Sequence, residues 1–312
     1  MARKITMNGQ SRKPLKEVFD DFVVSQTAKG LAEVTITTYH RHLRSMSYHL
    51  DIQKPLDTLT RRDLEAMIVS MRNAGLAHNT ISSYCRVLRT FLNWCKRNGM
   101  KVPELPNIKD KETVKESYTD EELLVLLKRP PKNCTFCEFR NWVIVNFLMN
   151  CGCRSSSIRN IQNRDVDLET RQIILRHNKN GKIQAVPLCS LMVSILREYM
   201  QIRGGKAEDY LFCDQYGGMF SRNGLKLAIA HHNKSRGVEK TSAHLYRHTF
   251  ARKYLVDCGG DPFMLQKLLG HSTLKMTRHY CAIYDTDVAK NFDNFSPLAH
   301  LNPQKEKLKK KK

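Results

Sequence analysis

No stretch of the 312-residue sequence stays apolar for long. The longest such run, Trp142 to Met149, is eight residues and contains an Asn, against the roughly 20 that a transmembrane helix needs. No membrane span is therefore expected. The basic N-terminus, M-A-R-K-I-T-M-N-G-Q, has no apolar segment behind it; no secretory leader is expected, and the expected location is the cytoplasm. Acids are also scarce: 30 Asp and Glu stand against 52 Lys and Arg, a formal net charge of +22. There is no G-x-x-x-x-G-K-[ST] phosphate loop, no H-E-x-x-H and no convincing cluster of metal-binding carboxylates, so neither a metal nor any other cofactor is expected.

The ten Cys are read as thiols in a reducing compartment. Cys134 and Cys137 form a C-x-x-C, with Cys151 and Cys153 following. The segment between the pairs reads as one helix of about 13 residues, which at about 1.5 Å per residue holds them about 20 Å apart. One zinc cannot reach both, and isolated buried thiols are the expectation.

The excess charge is spread along the chain. Residues 305–312 hold six Lys and one Glu, +5; 17 basic against 9 acidic residues up to position 104 give +8, and 29 against 20 from there to residue 304 give +9. Basicity distributed over foldable sequence points to a polyanionic partner, nucleic acid first.

Residues 13–100 read as four helices, after a basic tail over 1–12. The first, about 14–28, carries Leu15, Val18, Phe19, Phe22 and Val23 at helical spacing; the third, about 60–74, opens on the cap residue Thr60 and carries Leu64, Met67 and Ile68. The second and fourth stand apart. From Val34 to Leu50 the apolar stripe Ile36, Tyr39, Leu43, Met46 and Leu50 faces away from Thr37, Thr38, Arg41, Arg44, Ser45 and Tyr48. From Ala77 to Met100 the stripe Ile81, Tyr84, Leu88, Phe91, Leu92 and Cys95 faces away from Asn79, Ser83, Arg86, Thr90, Asn93 and Arg97. Neither segment contains an acid. An ordinary solvated face mixes both signs, so two such faces in one domain suit phosphates and base edges; the competing reading is a solvent face that happens to lack acids.

Residues 101–118, with two prolines and no apolar periodicity, read as a linker. Thr119 and Glu122 then form a capping box for the helix D-E-E-L-L-V-L-L-K, stopped by Pro130 and Pro131. Strands are expected around Arg171–Arg176 and Ile183–Leu188, joined by a hairpin through Asn180-Gly181. The rest reads as helical, and no internal repeat is visible. His231-His232 are expected on a loop or helix surface rather than on a metal.

Two clusters carry candidate chemistry. In T-S-A-H-L-Y-R-H-T-F-A, His244 and Arg247 are three apart and share a helix face if the segment is helical. His244 and His248 have a metal-ligand spacing, but a third ligand is missing. In L-L-G-H-S-T-L-K-M-T-R-H-Y, His271 precedes Tyr280 by nine residues. H-x-x-R-H, then L-G-H followed nine residues later by Tyr, resembles the signature of the tyrosine recombinase (phage integrase) family. N-C-G-C-R supplies Arg154 where that family has its first catalytic Arg. The hairpin before Val186-Pro187-Leu188 carries Lys179 at the catalytic Lys position, with Lys182 as the runner-up. The resemblance spans about residues 13–295.

The resemblance implies a mainly α protein of tyrosine recombinase architecture. A helical core-binding, SAM-like, DNA-binding domain (13–100) would be linked to a mixed α+β catalytic domain with a small antiparallel sheet (119–300), and a Lys-rich tail (301–312) would follow. It also implies site-specific DNA cleavage and rejoining through a 3′-phosphotyrosyl intermediate, without ATP or metal. Tyr280 would be the nucleophile, and Arg154 and Arg247 would bind the non-bridging oxygens. Lys179 would protonate the leaving 5′-oxygen, His244 would help take the Tyr280 proton, and His271 would hydrogen-bond the phosphate. The implied partners are double-stranded DNA recombination sites, other copies in a homotetramer on paired sites, and in some systems a directionality factor. Residues 287–301, with Val288, Phe292, Phe295 and Leu298, are a candidate for a helix passed to a neighbouring protomer or packed in cis.

Tyr284 lies 13 residues after His271 and so misses the nucleophile position; His248 and His279 read as structural; Arg159 and Arg176 match no motif position. The sequence departs from the family in R-S-S-S-I, where the usual R-x-S-E-L Glu is replaced by Ser157, and in C-G-C before Arg154. Ser157 is the one hint of a non-cleaving DNA-binding protein on this fold, and a relaxing topoisomerase shares the tyrosine chemistry. Within recombinases, the dozen residues before the first domain suggest a minimal mobile-element integrase or a Xer-like dimer resolvase. The Lys tail is expected to add nonspecific DNA affinity and to be dispensable for the chemistry.

Overall fold

The computed structural model describes residues 12–108, 116–177, 181, 183–271, 273 and 277. The chain divides into two compact units, Met1–Thr113 and Val114–Lys312, and among the described residues it is mainly helical with one small antiparallel sheet.

The first unit has four helices, α1 (Leu15–Ala28), α2 (Glu33–Met46), α3 (Arg61–Asn73) and α4 (His78–Arg97). Each buries the stripe its periodicity marks out: Phe19 and Phe22 from α1, Leu43 and Met46 from α2, Met67 from α3 and Phe91 from α4 form one core. The rings of Phe19 and Phe22 lie 5.1 and 5.7 Å from that of Phe91, within the tilted and edge-on range that aromatic pairs favour. Thr60 caps α3 as expected, accepting from the Asp63 N–H while the Asp63 carboxylate accepts from the Thr60 N–H. That carboxyl, also bonded to Lys54, is held down at about 2. α2 starts one residue before the acid-free stretch, at Glu33, in the first turn where a carboxylate suits the helix dipole.

The second unit opens with α5 (Asp120–Leu127), whose Thr119–Glu122 capping box is present. α6 (Phe136–Cys151) is its centre. Apolar almost all round, α6 is buried along its length, as a helix without a polar face must be, and it packs against α5, α8 (Ser190–Arg203), α9 (Arg222–Lys234) and α10 (Ala243–Val256). Its own capping box, Thr135 with Glu138, starts it two residues before the expected point. The short α7 (Ser155–Ile158) follows. Strands β1 (Val166–Asp167), β2 (Gln172–Leu175) and β3 (Gln184–Pro187) form an antiparallel sheet in that order. Ile173 faces Val186 across the hairpin and both are fully buried. The third strand, β1, is two residues long and carries no periodic signal. α11 (Pro262–Leu269) starts on Asp261, whose side chain accepts from the Met264 N–H, with Pro262 in its first turn.

The cysteines among the described residues are all free thiols. Cys151 and Cys153 are buried, whereas Cys134 and Cys137 are only partly so; no group of three His, Cys, Asp or Glu among the described residues could hold a metal ion. No described helix is long and apolar enough to cross a membrane. Residues 287–301, the Lys tail and most of the hairpin turn lie outside the described residues.

One expectation is corrected. His231 is exposed on α9, but His232 is buried, with Nε2 3.0 Å from the Leu126 carbonyl. Burial is the main cause that lowers its pKa to about 4. An unfolded His titrates near 6.5, so the stabilisation is complete above that pH and is lost as pH falls from about 6.5 to 4, where only the unfolded chain takes up the proton. The span corresponds to roughly 3 kcal/mol. Urea unfolding of the wild type between pH 7 and 4.5 should show this loss, and His232→Gln should show a smaller one; identical slopes would remove His232 as the source.

Candidate functional site

Two glycines place the ends of two helices against each other. Gly152 ends α6 in the left-handed region at φ 57°, its N–H on the Leu148 carbonyl, and Arg154 follows two residues later. A Cβ on Gly152 would lie 2.4 Å from the Phe250 ring and 3.0 Å from Leu269 Cδ2. Gly270 ends α11 at φ 61°, and the next N–H, that of His271, bonds back to the Gln266 carbonyl at 3.0 Å. This is the six-residue return bond of a Schellman cap. The L-G-H triplet is thus a helix stop that sets the direction in which His271 leaves.

The last carbonyls of α11 gather the site. Gln184 on β3 donates from Nε2 to the Lys267 and Leu268 carbonyls at 2.9 and 2.8 Å. The Leu269 carbonyl accepts from Arg247 Nη2 at 2.9 Å and from Arg154 Nη1 at 3.5 Å. Arg247, 3 % exposed on α10, also donates from Nη1 to the Gly152 carbonyl at 2.8 Å, and its Nη2 lies 2.7 Å from His271 Nε2. Arg154 is half-buried at the start of α7. Arg154 and Arg247, from two separate sequence segments, therefore meet at one backbone oxygen, with His271 from a third held against Arg247.

Both ring nitrogens of His271 are engaged, Nε2 with Arg247 and Nδ1 with the Thr277 hydroxyl at 2.9 Å. Burial and the adjacent cations Arg247 and Arg154 lower its pKa to about 4, so it is neutral at physiological pH. His244 lies on the first turn of α10, three residues before Arg247 as expected, and is exposed. Ser157, at the position of the family's Glu, is buried, and its N–H closes on the Arg154 carbonyl at 2.9 Å. Lys179, the alternative Lys182, the nucleophile candidate Tyr280 and its decoy Tyr284 lie outside the described residues.

The remaining arginines have other partners. Arg159 donates to the Phe220 carbonyl, and Arg176 to the buried Asp165 at 2.6 Å. Gln184 and Thr277 were not singled out by sequence reading; Gln184 is an ordinary polar residue with long-range partners, and Thr277 pairs with His271 only six residues away. The glycine stops, by contrast, were readable from G-C-R and L-G-H.

In the first unit, Thr37, Arg41, Arg44, Asn79, Arg86, Thr90 and Arg97 are exposed and Ser83 partly so. The ion pairs given for this unit, such as Lys13–Glu17 and Arg61–Glu65, use other cations, and Arg41, Arg44, Arg86 and Arg97 join none among the described residues.

Comparison with known proteins places this geometry. The phage integrase family matches residues 116–287, and the phage integrase N-terminal SAM-like domain matches residues 22–99. The chain belongs to the phage integrase family and is a tyrosine-type site-specific DNA recombinase. It is 25% identical to the tyrosine recombinase XerC of Alcanivorax borkumensis over 306 residues, covering 94% of this chain and 97% of that protein. It is 25% identical to the tyrosine recombinase XerD of Listeria innocua over 301 residues, 91% of this chain and 100% of that one. In fold it resembles the Tn1549 transposon integrase in complex with transposon right end DNA, with a TM-score of 0.73 at 18% identity over 90% of this chain and 99% of that one. A lambda integrase tetramer bound to a Holliday junction gives 0.70 at 16% identity, over 88% of this chain and 79% of that one.

Gly152→Ala should destabilise the protein by about 2–4 kcal/mol in urea unfolding, through the left-handed backbone and the contact with Phe250. An unchanged midpoint would show that ring and backbone yield without cost.

Proposed function

We propose that Arg154 and Arg247 form the phosphate-binding pair of this recombinase, and that Tyr280 is its nucleophile. The observation that supports this best is the meeting of the two arginines at the Leu269 carbonyl, with His271 beside Arg247. Three of the five Arg247 N–H donors are taken by neutral acceptors among the described residues, so its charge is oriented without being cancelled. Planar guanidinium forks match the two non-bridging oxygens of a phosphodiester, a fit a Lys ammonium lacks.

In the reaction, the Tyr280 phenol oxygen forms a bond to phosphorus and the bond to the 5′-oxygen breaks. His244 helps remove the phenol proton, and Lys179, ahead of Lys182, gives a proton to the leaving oxygen. A phenol of ordinary pKa about 10 needs such help at neutral pH. Reversal against another 5′-hydroxyl rejoins the strand, and the phosphotyrosyl bond conserves the energy. His271, beside Arg247 in the same cluster, hydrogen-bonds the phosphate.

Residues 13–100 serve as the core-binding domain and 119–300 as the catalytic domain, acting on paired double-stranded sites as a homotetramer in the cytoplasm, with a directionality factor where the element requires one. The uncancelled arginines of α2 and α4, with Thr37, Asn79, Ser83 and Thr90, face the DNA. Integration and excision of a mobile element fit this chemistry.

On a nicked suicide substrate the wild type should form a covalent protein–DNA complex that Tyr280→Phe does not form. Arg247→Lys should slow the reaction by on the order of a hundredfold or more. A wild type that forms no complex sinks the proposal. For the helix faces, Arg41→Gln combined with Arg86→Gln should lower the exponent of the salt dependence of DNA binding by about 2, close to one per lost phosphate contact; an unchanged exponent would assign those faces to solvent.

A further inference from the structure

Lys179 and Lys182, the two candidates for the proton donor, both fall in residues 176–183, which join β2 to β3. The residues that bound this connection are fastened to other parts of the unit. Arg176, just after β2, donates from Nε to the buried Asp165 at 2.6 Å. Gln184, the first residue of β3, pairs with Leu175 at the end of β2, and its Nε2 donates to the Lys267 and Leu268 carbonyls at 2.9 and 2.8 Å. An amide nitrogen has two N–H groups, and both are used. The opposite orientation of the amide would set its oxygen against two carbonyls, so the acceptors settle which way it points. The amide also lies close over Gly270, where a Cβ would stand 2.7 Å from Oε1.

The next carbonyl along, that of Leu269, is the one at which Arg154 and Arg247 meet. Three successive carbonyls of one helix end therefore hold the base of the Lys-bearing connection and the two arginines. A proton donor acts only within hydrogen-bond reach of the leaving oxygen, and a long, flexible lysine reaches it reproducibly only from a fixed base. We propose that Gln184 is a positioning residue for the proton-transfer step: its amide fastens the base of the Lys-bearing connection to the end of α11, so that the proton donor and the phosphate-binding pair share one anchor. Arg176 ties the other side of the connection to Asp165, and Gln184 ties it to α11. A donor is required here, because the carbonyls that end a helix offer only acceptors and carry the negative end of its dipole. The inference rests on the roles proposed above for the lysine and the arginines.

The test compares two leaving groups in single-turnover formation of the covalent complex by the full-length protein. On a nicked site with the ordinary 5′-oxygen, Gln184→Leu should be slower than wild type by about 10–100-fold, part of the roughly 10²–10⁴-fold that a placed proton donor contributes, with DNA affinity within about twofold. Gln184→Glu, which keeps the shape and turns donors into acceptors, should be slowed in the same way. On a site whose leaving oxygen is replaced by sulfur, departure needs no proton, since a thiol ionises near about 8.5. There both variants should return to within about threefold of wild type, as should Lys179→Ala or Lys182→Ala, whichever removes the donor, while Arg247→Lys stays slow. A Gln184→Leu rate equal to wild type on the ordinary site, or a Gln184 defect that sulfur leaves unchanged while it rescues a lysine variant, would overturn this proposal alone. If sulfur rescues neither lysine variant, or the wild type forms no complex on either site, the proposed function fails in that part and takes this inference with it.

Discussion

The C-terminal end of α11 is the constraint on which the site depends. The last carbonyls of a helix have no partners within it and carry the negative end of its dipole. Here the orphan groups are supplied from elsewhere in the unit, by Gln184 from the hairpin and by Arg247 and Arg154 from α10 and the turn after α6. One short helix end thus fixes the relative positions of three segments. The choice of acceptor also matters: a carboxylate would hold Arg247 as firmly but would cancel its charge, whereas two carbonyls and a neutral imidazole orient the fork and leave the charge for a ligand.

The two glycines make this approach possible. Had either helix ended on a residue with a Cβ, the two ends could not close: a Cβ on Gly152 meets Phe250 and Leu269, and one on Gly270 would stand 2.7 Å from Gln184 Oε1. The positive φ that ends each helix and the missing side chain that lets the elements touch are supplied by the same residue. Arg154 also reaches the end of α11. The half-buried arginine is anchored on the α11 carbonyl, and the turn after it is closed by backbone bonds.

Legibility in the sequence divides along the range of the interaction. Local signals were readable: the stripes of α1 to α4, the cap at Thr60, the capping box at Thr119, and the hairpin. The box at Thr135 is equally local, but the long apolar run that follows Glu138 masks it in the sequence. His232 could not be placed from sequence. Whether a histidine at the end of an amphipathic helix faces water or the Leu126 carbonyl depends on where α5 lies. Gln184 is of the same kind, a polar residue of no local distinction that bonds 83 and 84 residues along the chain. Arg159 and Arg176 show the converse, since motif position set them aside and the structure gives each a structural acceptor.

The positive charge noted first in the composition therefore does two kinds of physical work. Arg41, Arg44, Arg86 and Arg97 are exposed and join no ion pair among the described residues. Their attraction for a polyanion acts through water and is screened over about 8–10 Å at physiological salt. Such charges raise encounter rates and release counterions, but they cannot orient a single phosphate. Arg247 is the opposite case. Buried and held by three neutral acceptors, it is poorly screened and costly to move, so its field is directed at one place. A basic protein without the second kind would bind DNA and leave it intact. The three neutral acceptors hold Arg247 with its charge uncancelled, which is what the proposed phosphate site asks of it and what the count of 52 basic residues alone does not supply.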